Sequence, residues 1–235
     1  DLDSNSDSGT SNSDNITNDT TPTLVGSAEA NSIVEIFNGS SSLGTTQAHP
    51  TTGDWSFTVS TALGDGNHSF TAKPFDVAGN ALAASPNLSI TVDTSAPLAP
   101  STPDLAADSD TGSSNNDNVS SDVTPTFTGT AEASSTIELF AGSSSIGITT
   151  ADSSGNWSFT VDSTKALDDD GSYTITAKAT DAAGNQSDLS DALTIDILPI
   201  IDSSTYDVST GLLTVSGSGF VSKSGSANDI DILKL

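Results

Sequence analysis

The sequence predicts an all-β protein: two tandem seven-stranded β-sandwiches arranged end to end, followed by a partial third β-domain. Three observations predict it. Short β-branched runs are punctuated by Gly, Ser, Thr and Asn about every ten residues. Apolar and polar residues alternate within the runs: Trp55, Phe57 and Val59 share one face, and Ser56 and Thr58 share the other. The whole pattern then repeats. Gly9, Pro22, Gly26, Glu29 and Phe37 recur as Gly112, Pro125, Gly129, Glu132 and Phe140, each 103 residues later.

In chain order, the first unit reads as a short strand around Ile16, then strands at 22–29 (PTLVGSAE), 32–37 (SIVEIF), 43–48, 54–60 (DWSFTVS), 67–76 and 88–93. Trp55 recurs as Trp157 at an offset of 102. Asp76, Gly79 and Asn80 recur as Asp181, Gly184 and Asn185 at 105, and Asp93 as Asp196 at 103. Small insertions that cancel over the unit are what tandem domains accumulate, and the period is too long for a solenoid repeat. The expected domains are 1–98, 99–198 and 199–235.

Trp55 and Trp157, on alternating strands, read as core residues rather than sugar-stacking platforms. Tyr173 opens the sixth strand of the second unit, where sandwiches of this kind carry a tyrosine corner. His68 takes its place in the first unit as a polar corner residue, and His49 reads as an exposed loop residue.

Charge restricts the partners. The 235 residues carry 31 acidic side chains against five basic ones, a formal net charge of -26. That balance argues against nucleic acid or an anionic membrane surface and makes cations the natural partners. No apolar run approaches the roughly 18 residues of a spanning helix, so membrane insertion is not expected. The chain has no Cys, so no disulfide staples it, and no Met, as in a piece of a longer polypeptide.

The stretch from Asp93 to Gly112 joins the two units with four Asp, three Pro and no positive charge. Pro97, Pro100 and Pro103 predict a stiff connector. Carboxylates this crowded repel one another when bare, and a hard cation taking six to eight oxygens, Ca2+, would hold them together. Counting strand reversals puts the turn after the second strand, the turn after the sixth and the N-terminal segment of a unit at one pole. By that count Glu132 and Asp181 meet Asp104–Asp110, while Asp93 and the Asp65 turn lie at the opposite pole of the first unit. The metal-ligand candidates are therefore Asp93, Asp104, Asp108, Asp110, Glu132, Asp181 and Asn185, with Asp1, Asp7, Glu29, Asp76 and Asn80 as their first-unit counterparts. Asp14 and Asp117 are weighed evenly between ligand and turn-former. The competing reading of Asp76–Asn80 and Asp181–Asn185, both DxAGN, is an Asx-turn in which Gly supplies an unusual φ.

The motifs TPTxxGxAEAxSxxxxF, GxWSFTV and DxAGN, each present in two copies over residues 1–198, together with VDTSAPxAP at the end of the first unit, resemble the bacterial Ig-like repeats of giant, type I-secreted biofilm and RTX-type adhesins. The resemblance implies a secreted, cell-surface protein in which many Ig-like domains form a stalk with calcium at the linkers. Its partners would be neighbouring Ig-like repeats of the same chain, and the chain would be monomeric. The ligands implied are Asp93, Asp104, Asp108, Asp110 and Asp181. Strict repetition breaks where Ala106 replaces Asp3 and Asp108 replaces Asn5.

From Pro199 the sequence changes character. Thr205–Asp207, a turn at Ser209–Gly211 and Leu212–Ser216 predict a hairpin similar to the opening of IPT/TIG-type domains, with 229–235 entering a further strand. No GxSxG, HExxH or phosphate-cradling loop occurs, and the acidic residues cluster at turns, so no catalysis is expected. The alternative to a stalk segment is an adhesive or carbohydrate-binding module that contacts its ligand through loops. The near-identity of the two units favours a spacer.

Overall fold

The computed structural model describes residues 1–168 and 171–218, and the expected strand at 229–235 lies outside them. The first repeat holds β1 (Ile16–Thr17), β2 (Thr23–Ser27), β3 (Ile33–Asn38), β4 (Ser41–Gln47), β5 (Asp54–Thr58), β6 (Gly66–Phe75) and β7 (Leu88–Val92). One sheet runs β1-β7-β6-β3-β4, and the facing sheet pairs β2 with β5. The second repeat holds β8 (Asp104–Leu105), β9 (Val119–Ser120), β10 (Thr126–Thr130), β11 (Thr136–Ala141), β12 (Ser144–Thr150), β13 (Asn156–Thr160), β14 (Gly171–Thr180) and β15 (Leu193–Ile197). Its sheets run β12-β11-β14-β15-β9 and β13-β10-β8.

The chain divides into two compact units: Asp1–Ala99 with Glu132–Thr136 and Lys178–Asp188, and Pro100–Ala131 with Ile137–Ala177 and Leu189 onward. Each inward face is built from alternate residues. Leu24, Val34, Ile36, Phe70 and Ile90 make the first core, and Phe127, Ile137, Leu139, Ile175 and Ile195 are the deeply buried residues of the second repeat. Fully burying each such side chain contributes about 1.5–3 kcal/mol.

Strand pairing explains two glycines. Gly26 pairs with Trp55 and Gly129 with Trp157 across β2–β5 and β10–β13. A Cβ on Gly26 would meet the Trp55 ring at 2.5 Å, and one on Gly129 the Trp157 ring at 2.4 Å, so bare backbone is what lets each indole lie across its neighbour. The corners also form as the sequence suggested. Tyr173 Oη accepts from Asp168 N at 2.7 Å. His68 Nε2 bonds Gly64 O at 2.8 Å, and its Nδ1 faces Asn38 Nδ2 at 2.9 Å. A carbonyl can only accept, so Nε2 carries the proton and Nδ1 accepts from the amide.

The first strand differs from the single short strand expected: it is split between the sheets. Leu2 bridges Leu24, as Leu105 pairs with Phe127, and the chain then crosses over so that β1 and β9 pair in parallel with β7 and β15. Both halves keep the direction that strand reversal requires, antiparallel to the second strand and parallel to the last. The tail forms the expected hairpin, β16 (Ile200–Asp207) with β17 (Leu212–Ser218).

Candidate cation site at the start of each repeat

The crossover from the first half-strand to the second is tied by side chains rather than by a ladder. Thr17 Oγ1 donates to Ser6 O, and Ser120 Oγ to Ser109 O. Ser6 Oγ reaches Asp19 Oδ2 at 2.9 Å, and Ser109 Oγ reaches Asp122 Oδ2 at 3.0 Å. Asp19 and Asp122 in turn cap Thr21 N and Thr124 N at 2.8 and 2.9 Å. These Asp, Ser and Thr side chains offer the backbone local partners that outcompete regular strand, which is why the segment is a crossover.

Two carboxylates lie inside this crossover. Asp7 and Asp110 are each only 5% exposed. Asn15 takes φ 61° and Asn118 φ 60°, and this left-handed turn aims each backbone N–H at the carboxylate. Asn15 N donates to Asp7 Oδ2 at 3.2 Å and Asn118 N to Asp110 Oδ2 at 3.1 Å. The second oxygens, Asp7 Oδ1 and Asp110 Oδ1, are buried without a hydrogen-bond partner, as is Asn15 Oδ1. Burial pushes the Asp7 carboxyl above its ordinary value, and the Asp14 charge adds to this, against the N–H groups of Asn15 and Ile16. At Asp117, partial desolvation is outweighed by bonds from Ser113, Val119 and Ser114, which hold its carboxyl below the usual range.

The other candidates have more ordinary surroundings. Asp76 Oδ1 accepts from Ala78 N and Asn80 N at 2.9 and 2.8 Å, and Oδ2 from Asn80 Nδ2 at 2.7 Å. The side-chain bond from Asn80, followed by its N–H, holds the Asp76 carboxyl below its ordinary value. Asp181 is tied likewise by Asn185, whose N and Nδ2 reach it at 2.9 Å each. Gly79 (φ 85°) and Gly184 (φ 93°) close these turns, so DxAGN has Asx-turn geometry in both copies. Within the first compact unit, which includes Asn185, its Nδ2 also donates to Asp93 O at 2.8 Å, bringing Asp93, Asp181 and Asn185 together.

Glu29 and Glu132 are exposed and serve through their carbonyls, which accept from Ser32 N and Ser135 N. Asp1 is exposed and accepts from Leu2 N at 3.1 Å, and Asp108 lies exposed in the Ala106–Asp110 turn. Asp104 is exposed on β8 opposite Thr128. Asp104, Asp108 and Asp110 fall in the second compact unit, and Glu132 and Asp181 in the first. Among the described residues no three His, Cys, Asp or Glu side chains gather at one point. What the sequence reading missed is Asn15, whose signal was an Asn directly after Asp14 and before a strand.

Does a hard cation fit? The donors at Asp7, Asp14 and Asn15 are all oxygens, and two of those oxygens are buried and unsatisfied. That chemistry suits calcium, with backbone carbonyls and water completing its six to eight ligands.

The bacterial Ig-like domain model matches residues 1–94 and again residues 97–197. The chain belongs to that family. No curated protein matches it closely enough to count as a relative. Among solved structures, these bacterial Ig-like repeats are similar to the BSP domain of a biofilm-associated protein, at 19% identity and TM-score 0.30, over 77% of this chain and 28% of that one. They are also similar to a Ca2+-stabilized adhesin that helps an Antarctic bacterium reach out and bind ice, at 22% identity and TM-score 0.39, over 82% of this chain and 48% of that one. A third is the human OSCAR ligand-binding domain, at 15% identity and TM-score 0.36, over 77% of this chain and 93% of that one. Likeness at this level is likeness of fold. The chain spans 28% and 48% of the two bacterial proteins. No helix of the described residues is long and apolar enough to cross a membrane.

Proposed function

We propose that this pair of bacterial Ig-like repeats is an extender segment of a cell-surface adhesin, and that calcium binding at the start of each repeat stiffens it. The observation that carries the reading is the duplicated buried carboxylate, Asp7 and Asp110, each with one oxygen unpartnered. A buried unpaired polar group costs about 1–3 kcal/mol, more when charged, so its retention in both copies calls for a partner that these residues do not supply. Asp7, Asp14 and Asn15 would hold the ion in the first repeat, and Asp110, Asp117 and Asn118 in the second. The cation would neutralise the clustered charge. The residues themselves order the crossover: Asn15 and Asn118 fix the carboxylates, and Thr17 and Ser120 lock the chain against the Ser6 and Ser109 carbonyls.

An extender needs repeated, closed modules and no reaction centre, and the net charge of -26 keeps such a surface soluble and suits a calcium-rich exterior. The remaining candidates, Asp93, Asp104, Asp108, Glu29, Glu132, Asp76, Asn80, Asp181, Asn185 and Asp1, are secondary on this reading. The proposed domain limits are 1–98, 99–198 and 199 onward. Calorimetric titration with calcium tests the proposal: about two ions per chain are expected, and absence of binding at millimolar calcium overturns it.

A further inference from the structure

The two candidate cation sites are built on equivalent residues, yet their oxygens are not equally free. In the first repeat Asp7 Oδ1 and Asn15 Oδ1 are both buried without a partner, whereas in the second only Asp110 Oδ1 is in that state. Asp14 is exposed and, among the described residues, accepts only from Ile16 N, at 3.0 Å through Oδ1, which leaves Oδ2 open. Asp117 has both oxygens engaged. Its Oδ1 accepts from Val119 N at 3.2 Å, and its Oδ2 from Ser113 Oγ at 3.0 Å and Ser114 N at 3.2 Å.

The difference originates in the loop before each asparagine. Thr10, Ser11 and Ser13 correspond to Ser113, Ser114 and Asn116 at the 103-residue offset. In the second repeat Ser114 Oγ donates to Asn116 Oδ1, tying down the turn that bonds Asp117, and Gly112 N donates to Val119 O at 2.8 Å and closes the loop. The closure is tight: a Cβ on Gly112 would meet Asp117 Oδ1 at 2.9 Å. In the first repeat Ser13 has no amide oxygen to offer, and its own N–H donates to Ser11 Oγ at 3.3 Å. Gly9 there takes the left-handed φ of 95°, and among the described residues neither Thr10 nor Ser11 bonds Asp14.

We infer that the two sites bind calcium unequally: the turn at Ser113–Asn116 competes with the cation for Asp117, so the first repeat fills at lower calcium than the second. The inference rests on the calcium reading above. Each site is marked by more than clustered acids, since Asp7 and Asp110, both 5% exposed, keep one buried oxygen unpartnered. A cation in the first site meets an open Asp14 oxygen and relieves two buried oxygens, each costly while unpaired. In the second site it relieves one, and the Asp117 charge is already stabilised by three donors that must be shared or given up. Those donors hold the Asp117 carboxyl below its usual range, while burial and the Asp14 charge hold Asp7 above it. A tenfold difference in affinity is about 1.4 kcal/mol, within what one hydrogen bond to a charged group contributes. Two such sites spread the response of the chain over a wider range of calcium than identical sites would.

The test is a calcium titration of the full chain, started metal-free and followed by NMR at the Asn15 and Asn118 amides, which donate to the two buried carboxylates and report each site separately. The expected result is that the Asn15 signal reaches its midpoint at a calcium concentration at least tenfold below that of Asn118. Ser113 and Asn116 are exposed, so the double substitution Ser113→Ala, Asn116→Ser loosens the turn without touching the core. It should lower the Asn118 midpoint at least threefold and leave the Asn15 midpoint in place. Coincident midpoints in the parent, a lower midpoint at Asn118, or an Asn118 midpoint that the double substitution does not lower would overturn the inference and leave the calcium reading standing. Absence of any response at both amides up to millimolar calcium would overturn the two together.

Discussion

The backbone N–H of Asn15 donates to Asp7 Oδ2 at 3.2 Å while Asp7 Oδ1 is buried with no partner, and Asn118 and Asp110 repeat the relationship at 3.1 Å. One oxygen is satisfied by a left-handed asparagine and the other is left open in both copies. Asp181, equally buried but closing a turn, has both oxygens engaged.

A pH dependence follows from Asp7. Its folded carboxyl titrates above the unfolded value of 3.8, so between those two values the folded chain holds more protons than the unfolded one. Metal-free stability from this group is present below 3.8 and is lost as pH rises through the folded value. Asp65 and Asp76, held below their ordinary values by side-chain bonds from Thr94 and Asn80 first, contribute in the opposite sense: their stabilisation is lost as pH falls through their folded values. The Asp7 contribution is isolated by comparing the chain with Asp7→Asn in chelator from pH 3 to 7. The variant should gain on the parent as pH rises, by about 1 kcal/mol at neutral pH.

Gly26→Ala should be costly although the residue is on a strand that tolerates alanine. The new Cβ would sit 2.5 Å from the Trp55 ring, and the indole would have to move off β2. A loss of about 1–3 kcal/mol in urea unfolding is expected, with a red shift of Trp55 emission. Equal stability would show that the indole is free to move.

Tyr173→Phe removes a hydroxyl that accepts from Asp168 N at 2.7 Å and returns a bond to Asp168 O at 3.2 Å. The expected cost is about 1 kcal/mol in chemical unfolding, with faster exchange of the Asp168 amide.

Much of the fold was legible because alternation is a local signal. Trp55, Phe57 and Val59 could be assigned to one face from spacing alone, and DxAGN was readable as a turn from its Asp, Gly and Asn. The split first strand was not legible. Its halves are two residues each and are held by Ser6, Thr17, Ser109 and Ser120 hydroxyls, which have no period. The pairing of Asp110 with Asn118 was hidden for the same reason, since it forms only where the chain crosses between sheets. Asn15 was invisible because its contribution depends on φ 61° and on a side-chain oxygen with no donor, both properties of the folded chain.

The most direct measurement of the central claim is thermal unfolding of the chain and of the double variant Asp7→Asn, Asp110→Asn, each in calcium and in chelator. Binding to the native state alone stabilises by about 2.7 kcal/mol at a hundredfold excess over Kd. The parent should therefore melt several degrees higher in calcium. The double variant should melt above the parent in chelator and be indifferent to calcium. An equal calcium shift in parent and variant, or no shift in the parent, would contradict the account.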